Sequence, residues 1–159
     1  MKGEPAERLD PRAITLWRIT GALNMLVLLI VTGFAGSALV RFGYVSSSVA
    51  IVFVLVVLAL GLVVVGAAPG LRWRRWRYEI RPDEVDLQRG ILWTERTLVP
   101  LARIQHVDTR QGPLQRRFGL STVIFYTAAG PNLIPELSTP VAAEVRDRIA
   151  ALTGEQDEL

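Results

Sequence analysis

Residues 19–40, ITGALNMLVLLIVTGFAGSALV, and residues 42–71, FGYVSSSVAIVFVLVVLALGLVVVGAAPGL, carry no charge and are separated by Arg41 alone. A bilayer hydrocarbon core about 30 Å thick takes roughly 20 apolar residues at 1.5 Å rise per residue, and both runs reach that length. The second run is longer than a crossing needs, which places its spanning part at Val49 to Ala68 and leaves Ser46, Ser47 and Ser48 in the turn. The fold expected from this is a transmembrane helical hairpin followed by a small polar domain.

Charge placement orients the hairpin. Arg8, Arg12 and Arg18 precede the first run, Arg72, Arg74, Arg75 and Arg77 follow the second, and the connecting loop offers only Arg41. The positive-inside rule then puts both termini in the cytoplasm, as expected of a multi-pass membrane protein. Trp17, Trp73 and Trp76 stand where aromatic rings anchor at the headgroup level, and they are the expected interface anchors. A cleavable signal peptide would have an apolar core of 7–15 residues; the first run is longer, so it reads as a retained span. Cleavage would leave the second run as sole anchor.

Half of the 159 residues are hydrophobic, and the excess lies before residue 72. From Arg72 onward there are 13 Arg against 12 Asp or Glu, a balanced composition that suits one small core. The division expected is a cytoplasmic leader and helix start (1–18), two transmembrane helices with a short outer loop (19–71), the cytoplasmic domain (72–154) and an acidic tail (155–159). The chain has no cysteine, which removes disulfides and thiolate metal or redox sites.

At the start, Asp10 reads as an N-cap with Pro11 at the first helical position. Gly33 and Ser37 have the small-xxx-small spacing that lets two membrane helices approach, here within the hairpin. Beyond Arg77 the pattern becomes β: Tyr78 to Arg81, Glu84 to Gln88, a turn at Arg89-Gly90, then Ile91 to Val99 as one strand. Leu101 to Thr109 follows with Ile104 and Val107 out of alternation, which signals a bulge or burial on both faces. Leu114 to Phe118 suits one helical turn, Leu120 to Thr127 a strand, and Leu133 to Leu137 a last short one. Thr139 and Pro140 open a helix whose stripe is Val141, Val145, Ile149 and Leu152, with Glu144 and Arg148 as a surface pair and Gly154 as its end. Such an order makes a small mostly-β domain, an antiparallel sheet or open barrel closed by a C-terminal helix.

The run from Arg103 to Val123, with Gln111-Gly112-Pro113-Leu114-Gln115 followed by Phe118-Gly119-Leu120, and preceded by Tyr78-Glu79-Ile80 and Gly90-Ile91, resembles the bacterial PH-like membrane-flanked domain family, the YdbS-like membrane proteins. The hairpin ahead of the domain matches as well, so the resemblance spans about Leu9 to Leu152. Arg117 is more polar than the family's usual residue, and Ala129 stands where Gly is frequent. The resemblance implies a PH-like fold, no established enzymatic activity, and larger relatives carrying repeated copies of the domain. It supplies no ligand site.

Chemistry for catalysis is sparse. His106 is the single histidine, without the partners that a zinc set or a general base requires, and Ser121 lacks a nucleophile-elbow context. No phosphate loop appears. No cofactor is expected, and the function expected is non-catalytic: docking a protein partner, a larger membrane-flanked relative, at the inner face. The alternative is an anionic-lipid-binding module using Arg110, Arg116 and Arg117 around the Gly112-Pro113 turn together with Arg72, Arg74, Arg75 and Arg77. An enzyme ranks last. Nucleic acid is not an expected partner, because the domain is nearly neutral and lacks interleaved basic and aromatic residues. Homo-oligomerisation is left open by the sequence.

Overall fold

Two long helices carry the apolar runs, α1 (Arg12–Arg41) and α2 (Ser47–Arg75), in a computed structural model that describes residues 3–157, with side chains through Gly154. Both are long and apolar enough to cross a membrane. The Asp10 carboxylate accepts the Arg12 backbone N–H at 2.9 Å and caps α1 as the sequence indicates. Helix α2 begins earlier than the serine-rich turn suggested, because Ser46 is the capping residue: its hydroxyl accepts from the Val49 N–H at 3.5 Å, and Ser47 and Ser48 are already helical. The chain divides into two compact units, one made of the residues up to Leu16 together with those from Leu71 onward, the other of Trp17–Gly70.

Within the hairpin unit the close approaches fall at other small residues than the spacing suggested. Gly61 lies directly against the Met25 side chain, Gly21 faces Val65, and Gly36 faces Ala50, whereas Gly33 meets nothing. The Ser37 hydroxyl is turned back to the Phe34 carbonyl at 2.8 Å, and Thr32 does the same to Leu28 at 2.7 Å, so neither hydroxyl needs a partner helix.

The other unit is an antiparallel PH-like domain. One sheet has the order β1 (Glu7–Arg8), β2 (Arg77–Ile80), β3 (Glu84–Arg89) and β4 (Glu95–Pro100). A 3-10 turn, Leu101–Arg103, leads into a second sheet of β5 (Ile104–Arg110), β6 (Leu120–Thr127) and β7 (Gly130–Ser138), with the short α3 (Pro113–Phe118) between β5 and β6. Helix α4 (Thr139–Asp157) packs against β5, β6, β7 and the 3-10 turn. Its buried stripe is Ala142, Val145 and Ile149; Val141 stays exposed, and the helix continues past Gly154. The expected bulge in β5 is present between Ile104 and His106. The core gathers Tyr78, Ile80, Val85, Leu87, Leu101, Leu120, Val123, Phe125, Ile134 and Leu137.

Leu9, Ala13 and Leu16 are core residues of this same unit, and β1 pairs Glu7 with Tyr78. The Trp73 indole N–H donates to the Leu9 carbonyl at 2.9 Å, and the Asp10 N–H donates to the Glu136 carbonyl at 3.1 Å. The leader is therefore part of the folded domain, and its removal with the first helix would open the core.

The strand expected from Ile91 to Val99 is shortened. β3 and β4 pair outward only as far as Arg89 opposite Glu95, so Ile91, Leu92 and Trp93 form the hairpin tip. Gly90 explains why: its φ of +128° favours glycine, and any Cβ there would collide with the Trp93 carbonyl, which folds back over it.

Candidate docking surface

β4 and β5 are consecutive in the chain, yet they belong to different sheets. Each is paired on one side only, β4 with β3 and β5 with β6. At the seam between them lies a groove of about 590 Å³ whose lining includes Leu98, Val99, Ile104, Gln105, Thr127 and Asn132. Along β5 only Ile104 is buried and Val107 half-buried, while Gln105, His106, Asp108, Thr109 and Arg110 are exposed. A strand edge of this kind presents backbone donors and acceptors to any extended segment that reaches it.

His106 lies on this strand. Its ring stacks on Tyr126 with centroids 4.2 Å apart, and its Nε2 is 3.8 Å from an Asp108 carboxylate oxygen, both side chains being well exposed. Among the described residues no three His, Cys, Asp or Glu side chains are grouped to hold a metal ion.

The basic residues named from the sequence separate into distinct settings. Arg110 closes β5 opposite Thr122, and Arg116 and Arg117 form the last turn of α3; all three are exposed and make no ion pair among the described residues. The turn that carries them is firmly built. Gln111 donates to the Leu120 carbonyl at 2.9 Å and to Thr139 Oγ1 at 3.1 Å, while Gln115 accepts from the Gly112 N–H at 2.9 Å. Arg74 and Arg75 are exposed on the final turn of α2, and Arg77, half-buried in β2, lies 3.7 Å from Glu4. Arg72 lies within electrostatic reach of Glu136.

Of the three tryptophans expected as interface anchors, two are packed into the domain. Trp76 is 3% exposed, a core residue. Trp73 is half-buried, fixed by its bond to Leu9 and with the Arg8 guanidinium 5.7 Å above its ring. Trp17 is half-buried on α1.

Sequence patterning did not single out the ionic cluster on the outer face of the first sheet. The Asp86 side chain is fully buried, 2.6 Å from Arg96 and 3.1 Å from Arg81, and Arg81 also reaches Glu79 and Glu84 at 2.6 and 3.0 Å. Arg96 in addition donates to the Gly3 carbonyl at 2.7 Å, binding the leader to the sheet. The alternation Glu84-Val85-Asp86-Leu87-Gln88 indicates a strand but not this cluster, in which the two arginines lie over Asp86. Nearby, burial pushes the Tyr78 phenol well above its ordinary pKa, and the Glu7 carboxylate adds to the effect, so the hydroxyl remains a donor.

A family model for the bacterial PH domain matches residues 18–153. The chain belongs to that family. Among curated members, the UPF0699 transmembrane protein YdbS of Bacillus subtilis (strain 168) is 34% identical over 158 residues, covering 99% of both chains. The UPF0699 transmembrane protein YdbT of the same organism is 30% identical over 83 residues, which is 52% of this chain and 17% of YdbT. No solved structure matches. This bacterial PH domain protein is thus a membrane protein with two candidate spans, and its family and fold agree with the resemblance drawn from the Arg103–Val123 run.

Proposed function

We propose that this protein is a non-catalytic, membrane-anchored docking module that holds a protein partner at the inner face of the bacterial cytoplasmic membrane. The observation that carries the reading is the open β4–β5 seam, where the exposed edge of β5 borders a groove large enough for an extended segment. A larger membrane-flanked relative is the partner favoured. The similarity of about half of this chain to a small fraction of YdbT supports the existence of longer proteins that carry such a segment. The cytoplasmic placement rests on the arginines flanking both spans. That the leader and the residues from Leu71 onward form one folded unit supports both flanks being on the same side.

The test uses the absence of cysteine. Single-cysteine variants Gln105→Cys and Thr109→Cys of the full chain, crosslinked in native membranes, are expected to yield a discrete adduct with a larger membrane protein, and Ala150→Cys on exposed α4 is not. Equal labelling at all three sites, or no adduct from β5, overturns the reading.

A second reading, capture of anionic lipid, is favoured by the exposure of Arg110, Arg116 and Arg117, which make no ion pair among the described residues. The relevant sample is the full chain, because a fragment beginning at Tyr78 would lack the core residues Leu9, Ala13, Leu16 and Trp76. Native mass spectrometry of the detergent-released protein should then retain phosphatidylglycerol over phosphatidylcholine, with the preference lost in Arg116→Glu/Arg117→Glu and weakened by salt. Equal retention of the two lipids removes it.

A further inference from the structure

The most exposed large apolar side chains of the folded domain are at the tip of the β3–β4 hairpin. Leu92 and Trp93 are each 80% exposed, and Ile91 beside them is also exposed. Three consecutive apolar residues at a hairpin tip gain nothing from the domain's own core, and in water they carry an aggregation liability. The hairpin nevertheless holds them out firmly. At its base Arg89 and Glu95 form a double hydrogen bond at 2.9 and 3.1 Å, and at its turn Gly90 accommodates the Trp93 carbonyl where any other residue would clash.

What lies beside the tip indicates what covers it. Ile91, Leu92 and Trp93 share the wall of a groove of about 450 Å³ with Arg72, Trp76, Arg89 and Glu95. Arg72 is the first charged residue after the uncharged run of residues 42–71. A residue in that position belongs at the boundary between hydrocarbon and headgroups, where arginine reaches outward to water and phosphate. The tip adjoins Arg72 across a single groove within the same folded unit, which brings Leu92 and Trp93 next to the residue at which the second apolar run ends.

We infer that Leu92 and Trp93 form a wedge that enters the headgroup–hydrocarbon interface of the bilayer carrying the two spans, giving the domain a second point of membrane attachment. The occupant is a lipid surface. The attachment is apolar, so it requires no anionic lipid, which distinguishes it from capture through Arg110, Arg116 and Arg117. It involves a different surface from the β4–β5 seam and stands or falls independently of partner docking there.

The experiment reconstitutes the full chain, at high dilution, into vesicles of phosphatidylcholine alone, with a nitroxide on Leu92→Cys, on Trp93→Cys or on Ala150→Cys as the aqueous reference. Both tip positions are solvent-exposed, so circular dichroism should be unchanged; the two tip sites serve as independent reports. The expected result is an oxygen-to-nickel-chelate accessibility ratio several-fold higher at positions 92 and 93 than at 150. A ratio equal to that at 150 places the tip in water and overturns the inference. Protection from both reagents that grows with protein density assigns the tip to a second copy of the chain and overturns it equally.

Discussion

Gln115 donates through one amide group to Glu136 Oε2 at 3.0 Å and to Thr122 Oγ1 at 2.8 Å, joining α3 to β7 and to β6. Glu136 occupies an extra position in β7, where the register with β6 slips between Ser121 and Val123, and its φ is +52°. A bulge re-aims the side chain it carries, and here it turns a buried carboxylate toward the Gln-Gly-Pro-Leu-Gln turn. The backbone strain of a non-glycine residue at positive φ is balanced by what the carboxylate binds.

Gln115→Ala should therefore lower unfolding free energy by about 1–3 kcal/mol, since Glu136 remains buried with a contact removed. Glu136→Gly should be less damaging than Glu136→Ala by about 1 kcal/mol, because glycine relieves the positive φ while both variants lose the carboxylate. Thermal unfolding of the two variants in the same detergent compares them, and equal stability would show that φ at 136 is not strained.

Asp10 gives the domain an acid-sensitive component. Its hydrogen bonds to Arg12, opposed by partial burial, hold its carboxyl below the ordinary 3.8. A carboxylate with a depressed folded-state pKa stabilises fully above the unfolded value and loses that contribution as pH falls through the folded value. Wild type should therefore lose more stability than Asp10→Asn between pH 5 and the acid limit of reversibility, while at neutral pH Asp10→Ala costs about 1 kcal/mol through the lost cap. Melting temperature against pH for the three proteins is the measurement.

Asp86 is the most sensitive charge in the domain. Asp86→Ala removes the buried carboxylate that Arg81 and Arg96 share and should lower the melting temperature of the domain, as thermal unfolding will measure. Arg96→Met/Asp86→Leu, which removes the shorter pair and leaves Arg81 with Glu79 and Glu84, should recover much of the loss. Because Arg96 also binds the Gly3 carbonyl, Asp86→Ala should in addition speed proteolysis of the leader.

Gly61→Leu should separate the hairpin helices. A side chain at Gly61 would occupy the place of the Met25 thioether and force that side chain to repack between the helices, whereas Gly33→Ala meets open space and should be neutral. Crosslinking yield between cysteines placed at Gly36 and Ala50 reports the separation.

Much of this was legible in the sequence, because the strongest signals are one-dimensional. Two uncharged runs define the helices, the Asp10-Pro11 start caps α1, and the Val107 offset reports the β5 bulge. The errors arose where meaning depends on a distant segment. Ile91-Leu92-Trp93 has strand composition, and only the Arg89–Glu95 pairing and the carbonyl over Gly90 make it a tip. Trp76 reads as an interface anchor until the folded domain surrounds it. Nothing in the alternation of β3 singles out Asp86, whose burial depends on Arg81 and Arg96 from neighbouring segments. Small-residue spacing identified helix contact in general, but side chains across the hairpin selected Gly61, Gly21 and Gly36 rather than Gly33.

The pairing of Glu7 with Tyr78 closes a loop whose interior is the entire membrane hairpin. The ribosome releases the leader long before its partner strands exist, so those first residues must wait, unpaired, while both helices are threaded into the lipid. Only a chain that has crossed and returned can bring β1 to β2 and seat Leu9, Ala13 and Leu16. A chain that crossed once would strand the leader on the far side and leave the core unfinished. Completion of the domain thus requires both ends of the hairpin on one face of the bilayer.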